Sequence, residues 1–463
     1  MTLALPLVPA PDPFGTCVRF SGLPHLFFLD SSAQGTLSRF SFLAADPVAL
    51  ARTPEAAREL LQGERRAPLP ALPPFQGGIA GYLGYDWGAE LERVARPPAD
   101  RFTPRIPDVA LALYDWVIAW DHLEDKAWLI STGTGGGAGG RGSADERARV
   151  RAAWVRERLT APAPAIPDHP APRPAPPQSN FASTEFEAAV TRIRDYIAAG
   201  DVYQVNLSQR FHAPFSGSPL ALHRRLRTRN PAPFGAYLEF AGAAITSISP
   251  ERFLRLDATT RAAEARPIKG TRPRGAAPAG DSALARELLE SEKDRAENVM
   301  IVDLLRNDLG KVCRPGSVRV PTLFALESHP TVHHLVSTVT GVLADGADAF
   351  DLLLAAFPGG SVTGAPKIRA MQIIAELERA PRGVYCGAIG YVSTTGAMDF
   401  NIPIRTMVVQ GGAASFHAGA GIVWDSEPAA EYQETLAKAQ TLIEALTSPR
   451  RMPRTRGRAH PRA

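Results

Sequence analysis

The chain has 463 residues, 45% of them hydrophobic, which is enough for a large core and two or three structural units and excludes disorder throughout. Its formal charge of +4 is carried by the end of the chain. Six arginines follow residue 449, and without them the rest sums to about −2, so the body is not a basic nucleic-acid surface. The N-terminal MTLALPLVPAPDPFG has neither a basic start nor a sustained apolar stretch, and no run of about 18 apolar residues occurs anywhere, so a soluble cytoplasmic protein is expected. Residues 1–160 alternate short β-like runs with turns (HLFFLD, RFSFLAADP, GGIAGYLGYDW, then VALALYDWVIAWDH and KAWLISTG), the pattern of an antiparallel sheet unit. GTGGGAGGRGS (133–143) reads as a flexible loop and ADERARVRAAWVRERL as a charged helix. The proline density of APAPAIPDHPAPRPAPPQ supports neither helix nor inner strand, and it marks a linker over 161–179. Beyond it, over 180–447, amphipathic helices alternate with strands: FASTEFEAAVTRIRDYIAAGD reads as a capped helix, DSALARELLESEKDRAENVMIVDLLRNDL as one long helix, and EPAAEYQETLAKAQTLIEAL as the closing helix. The expected class is α/β or α+β, with 448–463 as a disordered basic tail.

Only six of 51 basic residues are lysines, at 126, 269, 293, 311, 367 and 438. A guanidinium cannot become a nucleophile, whereas an ammonium with a lowered pKa can, so the surviving lysines are candidates for amine chemistry, against chance survival on a surface. Glu290, Asp294 and Glu297 fall on one helical face, as do Glu431, Glu434 and Lys438. Two such faces together suit magnesium, which takes a few carboxylate oxygens and keeps water or substrate in its other positions; solvated faces with intrahelical pairs are the plainer reading. GGSVTGAPK (359–367) lacks the Gly-Lys-Ser/Thr of a phosphate loop, and Thr363 reads instead as the cap of a helix whose free amides could meet an anion. The glycines of AGAGIVWDS let a ligand approach a strand backbone, unless they mark a close strand crossing. Lys269, set in PIKGTRPRG, is consistent with a positioned amine. The three cysteines, Cys17, Cys313 and Cys386, form no C-x-x-C pair and are expected to be reduced.

In chain order, GDVYQVNLSQRF, ISPERF, PIKGTRPRG, ENVMIVDLLRNDLG, HHLVS, FPGGSVTGAPKIRAM, GVYCGAIGY, DFNIPIRT and GAGIV…EYQETLAKA together resemble the chorismate-binding enzymes, over residues 180–445. That family includes anthranilate and aminodeoxychorismate synthase components I and the isochorismate and salicylate synthases. The resemblance implies two stacked, mainly antiparallel sheets flanked by helices, with the active site between them. It further implies Mg2+ on Glu297 and Glu434, assisted through water by Asp294 and Glu431, holding the ring carboxylate of chorismate. Tyr385, Arg405 and the backbone at Gly419, Ala420 and Gly421 match the contacts of the enolpyruvyl carboxylate; Gly270, Thr271, Thr363 and Lys438 also belong to the implied substrate site. Gln204 stands where the isochorismate and salicylate synthases carry a water-activating lysine, which implies ammonia as nucleophile. Lys269 stands where anthranilate synthases carry alanine, which implies the aminodeoxychorismate branch: Lys269 as covalent nucleophile and Glu251 as proton donor. His334 matches a family histidine, and its role here is open.

FLDSS, LSRFSF and NPAPF resemble the tryptophan pocket of these aminases, with Ser31, Pro233 and Phe234 as candidates, against apolar packing without a ligand. No Gly-x-Cys-x-Gly segment occurs, so ammonia is expected from a separate glutaminase subunit or from solution. The alternatives are anthranilate synthase component I and, from another class, a non-catalytic polyanion binder using the arginine tail.

Overall fold

Alternation of apolar and polar residues along short β-branched and aromatic runs makes strands that must bury one face, and here they do so as two sheets laid against each other. In the computed structural model, which describes residues 2–135, 142–167, 176–275, 277–329 and 332–447, the strands form a twelve-stranded and a ten-stranded sheet whose pairings are all antiparallel. The predicted basic tail, most of the glycine-rich loop and the middle of the proline-rich stretch lie outside the described residues.

Between the sheets lies a core to which both contribute: Phe27, Phe42 and Ala236 from the larger, Tyr82, Ile389 and Tyr391 from the smaller. Phe42 meets Tyr391 edge-on at 5.3 Å, and Tyr82 meets Phe240 at 6.2 Å. Helices cover the outer faces. The closing helix Pro428–Thr447 buries Ala439, Leu442 and Ala445 with residues of the larger sheet, while Glu292–Gly310 buries Ile301, Val302 and Leu305 with residues of the smaller. Among the described residues no helix is long and apolar enough to cross a membrane.

Strands from before residue 132 and after residue 203 share both sheets. Phe27–Asp30 pairs with Phe234–Phe240, and Gly78–Leu83 pairs with Ala388–Ser393. The run VALALYDWVIAWD is two strands, Val109–Tyr114 in the smaller sheet and Trp116–Asp121 in the larger, so the chain changes sheets at Asp115. The expected single helix around residue 291 is two, Pro278–Glu290 and Glu292–Gly310. Ser291 is extended at the break and accepts from Asp294 N–H (3.2 Å); this local side-chain cap outcompetes helix continuation and leaves Glu290 on the preceding helix.

Candidate active site

A cavity of about 730 Å³ opens between the helices Glu292–Gly310 and Pro428–Thr447 and the strands Gln204–Pro214, Ile268–Pro273 and Ala413–Ile422. Lys269 enters it from an irregularity in the pairing of Ile268–Pro273 with Val332–Val342, where the register shifts between Ile268 and Thr271. Such a bulge re-aims a side chain. Gly270 makes it possible: its φ is +87°, and a Cβ there would lie 2.8 Å from Leu288 Cδ1 and 3.0 Å from the Asp294 side chain.

Lys269 is only 9% exposed, and burial lowers its pKa, opposed by the field of Glu297 and then of Glu251. Among the described residues no acid comes within ion-pair distance of its ammonium. Glu251 sits in the turn between Ala243–Ser249 and Arg252–Leu256, its backbone clamped by Ser249 (N–H to Oγ, 3.2 Å) and by Ile402, whose N–H donates to its carbonyl at 3.1 Å. Burial pushes its carboxyl up to about 7, against the hydroxyl of Ser361, which donates to Oε1 at 2.7 Å, and the charge of Lys269. The buried amine and the buried carboxyl thus have pKa values displaced toward each other within one cavity.

The two acidic helices border the same cavity, without Glu290, which lies on the preceding helix. Glu297 and Glu434 line the cavity, and Asp294 joins them. Burial raises Glu297, as do the like charges of Asp294 and Glu431. Each acid has a local partner: Gln204 Nε2 donates to Glu297 (3.1 Å), Lys438 pairs with Glu434 (2.6 Å), Arg272 with Asp294 (3.1 Å), and Ser426 donates to Glu431 (2.6 Å). Arg405 also lines the cavity and is perturbed by burial alone, with no acid contributing, which leaves a guanidinium available for a carboxylate. Tyr385 stacks on His417 with ring centroids 5.2 Å apart. Thr271 bonds His334 Nδ1 at 2.9 Å, and burial drives that imidazole down to about 3, so it is uncharged at neutral pH.

A model of the family described as chorismate binding enzyme matches residues 27–444. The chain belongs to the chorismate binding enzyme family. It is 45% identical over 409 residues to aminodeoxychorismate synthase component 1 of Klebsiella aerogenes, covering 88% of this chain and 84% of that one. It is 42% identical over 436 residues to anthranilate synthase component 1 of Streptomyces coelicolor, covering 91% and 83%. Its fold matches the crystal structure of anthranilate synthase component I from Streptococcus pneumoniae TIGR4 with a TM-score of 0.78 at 35% identity, over 89% and 93% of the two chains. It is therefore a chorismate-binding enzyme of the aminodeoxychorismate and anthranilate synthase component I type.

Within this chorismate-binding enzyme, Lys269, Glu251, Gly270, Thr271, Tyr385, Arg405, Gly419, Gly421 and Lys438 all line the one cavity. Three predicted substrate positions stand apart from its surface, as does Glu431 of the implied metal set. Thr363 is fully buried and turns its hydroxyl to the carbonyls of Gly359 and Gly360. It is not a helix cap, because Gly364 and Ala365 are extended against Val205 and Gln204, and the helix Lys367–Leu377 begins only after Pro366. Ala420 points its side chain into the core on the far side of its strand, as the two-residue alternation requires. Gln204 lies behind Gly421, whose missing Cβ leaves room for its amide.

Two groups escaped the sequence reading, and a third, Lys293, was marked only as one of six scarce lysines. Ser361 lies inside FPGGSVTGAP, where hydroxyl and glycine positions look alike as turn formers. His417 precedes Gly419 and Gly421 at steps of two on one strand, so strand alternation applied backward from the glycines would have found it. Lys293 reaches Glu431 at 3.7 Å from the opposite helix, a contact no linear spacing encodes.

Among the described residues no group of three or more His, Cys, Asp or Glu is close enough to form a metal site on its own. The donor set still fits a hard cation that borrows substrate oxygens: two cavity-lining carboxylates from facing helices, with Glu297 already crowded by like charge.

Proposed function

We propose that the chain converts chorismate and ammonia into 4-amino-4-deoxychorismate, for 4-aminobenzoate and folate synthesis. The observation that carries this reading is Lys269, a buried primary amine with no ion-pair partner among the described residues, in the same cavity as a Glu251 carboxyl pushed up to about 7. Arg405 and Tyr385, with the bare backbone at Gly419 and Gly421, hold the enolpyruvyl carboxylate. Magnesium, when bound by Glu297 and Glu434 with Asp294 and Glu431 behind them, supplies the charge that fixes the ring carboxylate. The neutral amine of Lys269 then bonds to C2 of the ring, both ring double bonds shift (C1=C2 to C6=C1, C5=C6 to C4=C5), and the C4 hydroxyl departs as water with the proton of Glu251, whose carboxylate takes up the proton the amine loses. Ammonia bonds to C4, both double bonds shift back, and Lys269 leaves C2 as the free amine, taking the proton that the new C4 ammonium gives up through Glu251. Gln204 cannot deprotonate water at neutral pH, which favours ammonia as the nucleophile.

The ammonia would come from a separate glutaminase subunit, in keeping with the component 1 designation of the relatives. Ser31, Pro233 and Phe234 line a second cavity of about 370 Å³, in which Ser31 Oγ is held by the carbonyls of Phe40 (2.7 Å) and Pro233 (2.8 Å), and we assign it to a bound tryptophan. The deciding experiment incubates the protein with chorismate, magnesium and ammonium and analyses product masses, alongside Lys269→Ala. The expected outcome is aminodeoxychorismate from the native chain and a substrate adduct trapped on Lys269; anthranilate with pyruvate from the native chain refutes the assignment.

A further inference from the structure

The strand Gln204–Pro214 forms one wall of the catalytic cavity: Asn206 and Ser208 line it, paired with Gly421 and Gly419 of Ala413–Ile422. The other edge of that strand is covered only in part. Gly364–Ala365 pairs with Val205 and Gln204, and Gln178–Ser179 pairs with His212 and Phe211; among the described residues no strand lies against the edge between them. Backbone groups left open inside a protein need other partners.

Two side chains supply them. The guanidinium of Arg382 donates to the carbonyls of Asn206 (2.7 Å) and Val362 (2.8 Å), and the carboxylate of Glu378 accepts from the N–H of Ser208 (2.7 Å). The pair closes on itself through two further bonds, Nε to Oε2 at 2.9 Å and Nη2 to Oε1 at 2.7 Å. Both side chains are 2% exposed; burial opposes the charge of Arg382, and the field of Glu378 outweighs it. A planar fork of donors can serve a carboxylate and two carbonyls at once, which an ammonium on a flexible stem cannot.

The segments so joined carry the proposed chemistry. Val362 follows Ser361, whose hydroxyl donates to Glu251 at 2.7 Å. Tyr385 lines the cavity with its ring 5.9 Å from the guanidinium and its N–H bonded to the Arg382 carbonyl at 3.2 Å. A buried ion pair is a poor source of stability, since an apolar pair of equal volume often does as well. What this one gives that an apolar pair cannot is a set of bonds to the backbone of the cavity wall.

We propose that Arg382 and Glu378 are positioning residues, a side-chain splice in place of a missing strand that sets the cavity wall and, through Val362 and Ser361, the aim of Glu251. The inference rests on the amination reading above.

The test uses the full chain with chorismate, magnesium and ammonium chloride and counts aminated chorismate of either isomer. Glu378→Leu combined with Arg382→Met removes both charges at similar volume and leaves no lone buried charge, so its thermal midpoint is expected above that of Arg382→Met alone. Its kcat is nevertheless expected to fall about 10²-fold, with the KM for chorismate within about threefold, because Arg405 and the acidic helices lie on other elements. The alkaline fall of kcat should move to higher pH as Ser361 ceases to favour ionised Glu251, while Lys269, Lys438 and Cys386, which also act on that carboxyl, stay in place. Adding Ser361→Ala should move it no further. Arg382→Lys keeps the charge without the fork and should show the same loss and the same shift. An unmoved pH profile in either folded variant overturns the proposal, whatever its kcat, and leaves the amination reading standing. Failure of both variants to fold also overturns it, by making the pair a determinant of the fold alone. If the native chain forms no aminated product at all, the amination reading falls, and this inference falls with it.

Discussion

Two buried lysines separate chemistry from architecture in this fold. Lys269 and Lys367 are exposed to almost the same extent, 9% and 8%, and burial lowers both. Lys367, at the start of the helix Lys367–Leu377, donates to Asp308 (2.7 Å) and to the carbonyl of Ala356 (2.8 Å). Lys269 has acids around it but none within ion-pair distance among the described residues. Equal burial thus goes with an ammonium tied to a carboxylate and a carbonyl in one place and an ammonium without such a partner among the described residues in the other; the partner, not the depth, separates them.

The largest effect expected from this contrast is loss of aminated product in Lys269→Ala, by about 10³-fold or more, with the thermal midpoint hardly changed. Lys367→Met should do the reverse. Stranding Asp308 without its partner should cost about 3–5 kcal/mol in denaturant unfolding, and the further change Asp308→Asn should recover much of it. If Lys367→Met instead silenced the chemistry at native stability, the contrast would be void.

Glu251→Gln is expected to slow the reaction by about 10²- to 10⁴-fold. The pH dependence sharpens this. With the folded carboxyl at about 7, above its ordinary 4.5, the acid is loaded below about 7, and the native rate should fall as pH rises through that value. The same displacement gives a contribution to stability that is complete below about 4.5 and lost as pH rises through about 7, so the stability of Glu251→Gln should change less over that window. A Glu251→Gln variant that kept the alkaline fall would remove Glu251 from the role of acid.

The smallest effect concerns Ser361. Its hydroxyl favours the ionised form of Glu251, so Ser361→Ala should move the alkaline fall of the rate to higher pH, by roughly the worth of one hydrogen bond to a charged group, about 1.5–3 kcal/mol at most, and Ser361→Thr should restore it. A uniform loss of rate with an unmoved profile would make Ser361 merely structural.

How far the site could be read in the linear chain depended on whether a residue's role is local. The scarcity of lysine made Lys269 one of six candidates, and its PIKGTRPRG motif singled it out through the family resemblance; helical spacing put Glu297 and Glu434 on acidic faces, and both line the cavity. Glu251 was visible only through its ISPERF context, because the burial that raises its carboxyl comes from strands far away in the chain. Ser361 was not legible, since its role depends on which strands become neighbours, whereas His417 could have been reached by strand alternation back from Gly419 and Gly421.

The sequence by itself determined the periodicities: strands before the proline-rich stretch, amphipathic helices and strands after it, and glycines where a backbone must stay bare. It did not determine sheet membership. VALALYDWVIAWD carries one continuous apolar signal yet splits between two sheets at Asp115, and both sheets draw strands from either side of the proline-rich stretch. Side-chain period tells a strand which face to bury, whereas its partner is chosen by long-range packing and hydrogen bonding, which have no imprint at short spacing. For the same reason only the tertiary structure set Lys269 apart from Lys367: a nearby acid is a fact about neighbours in space.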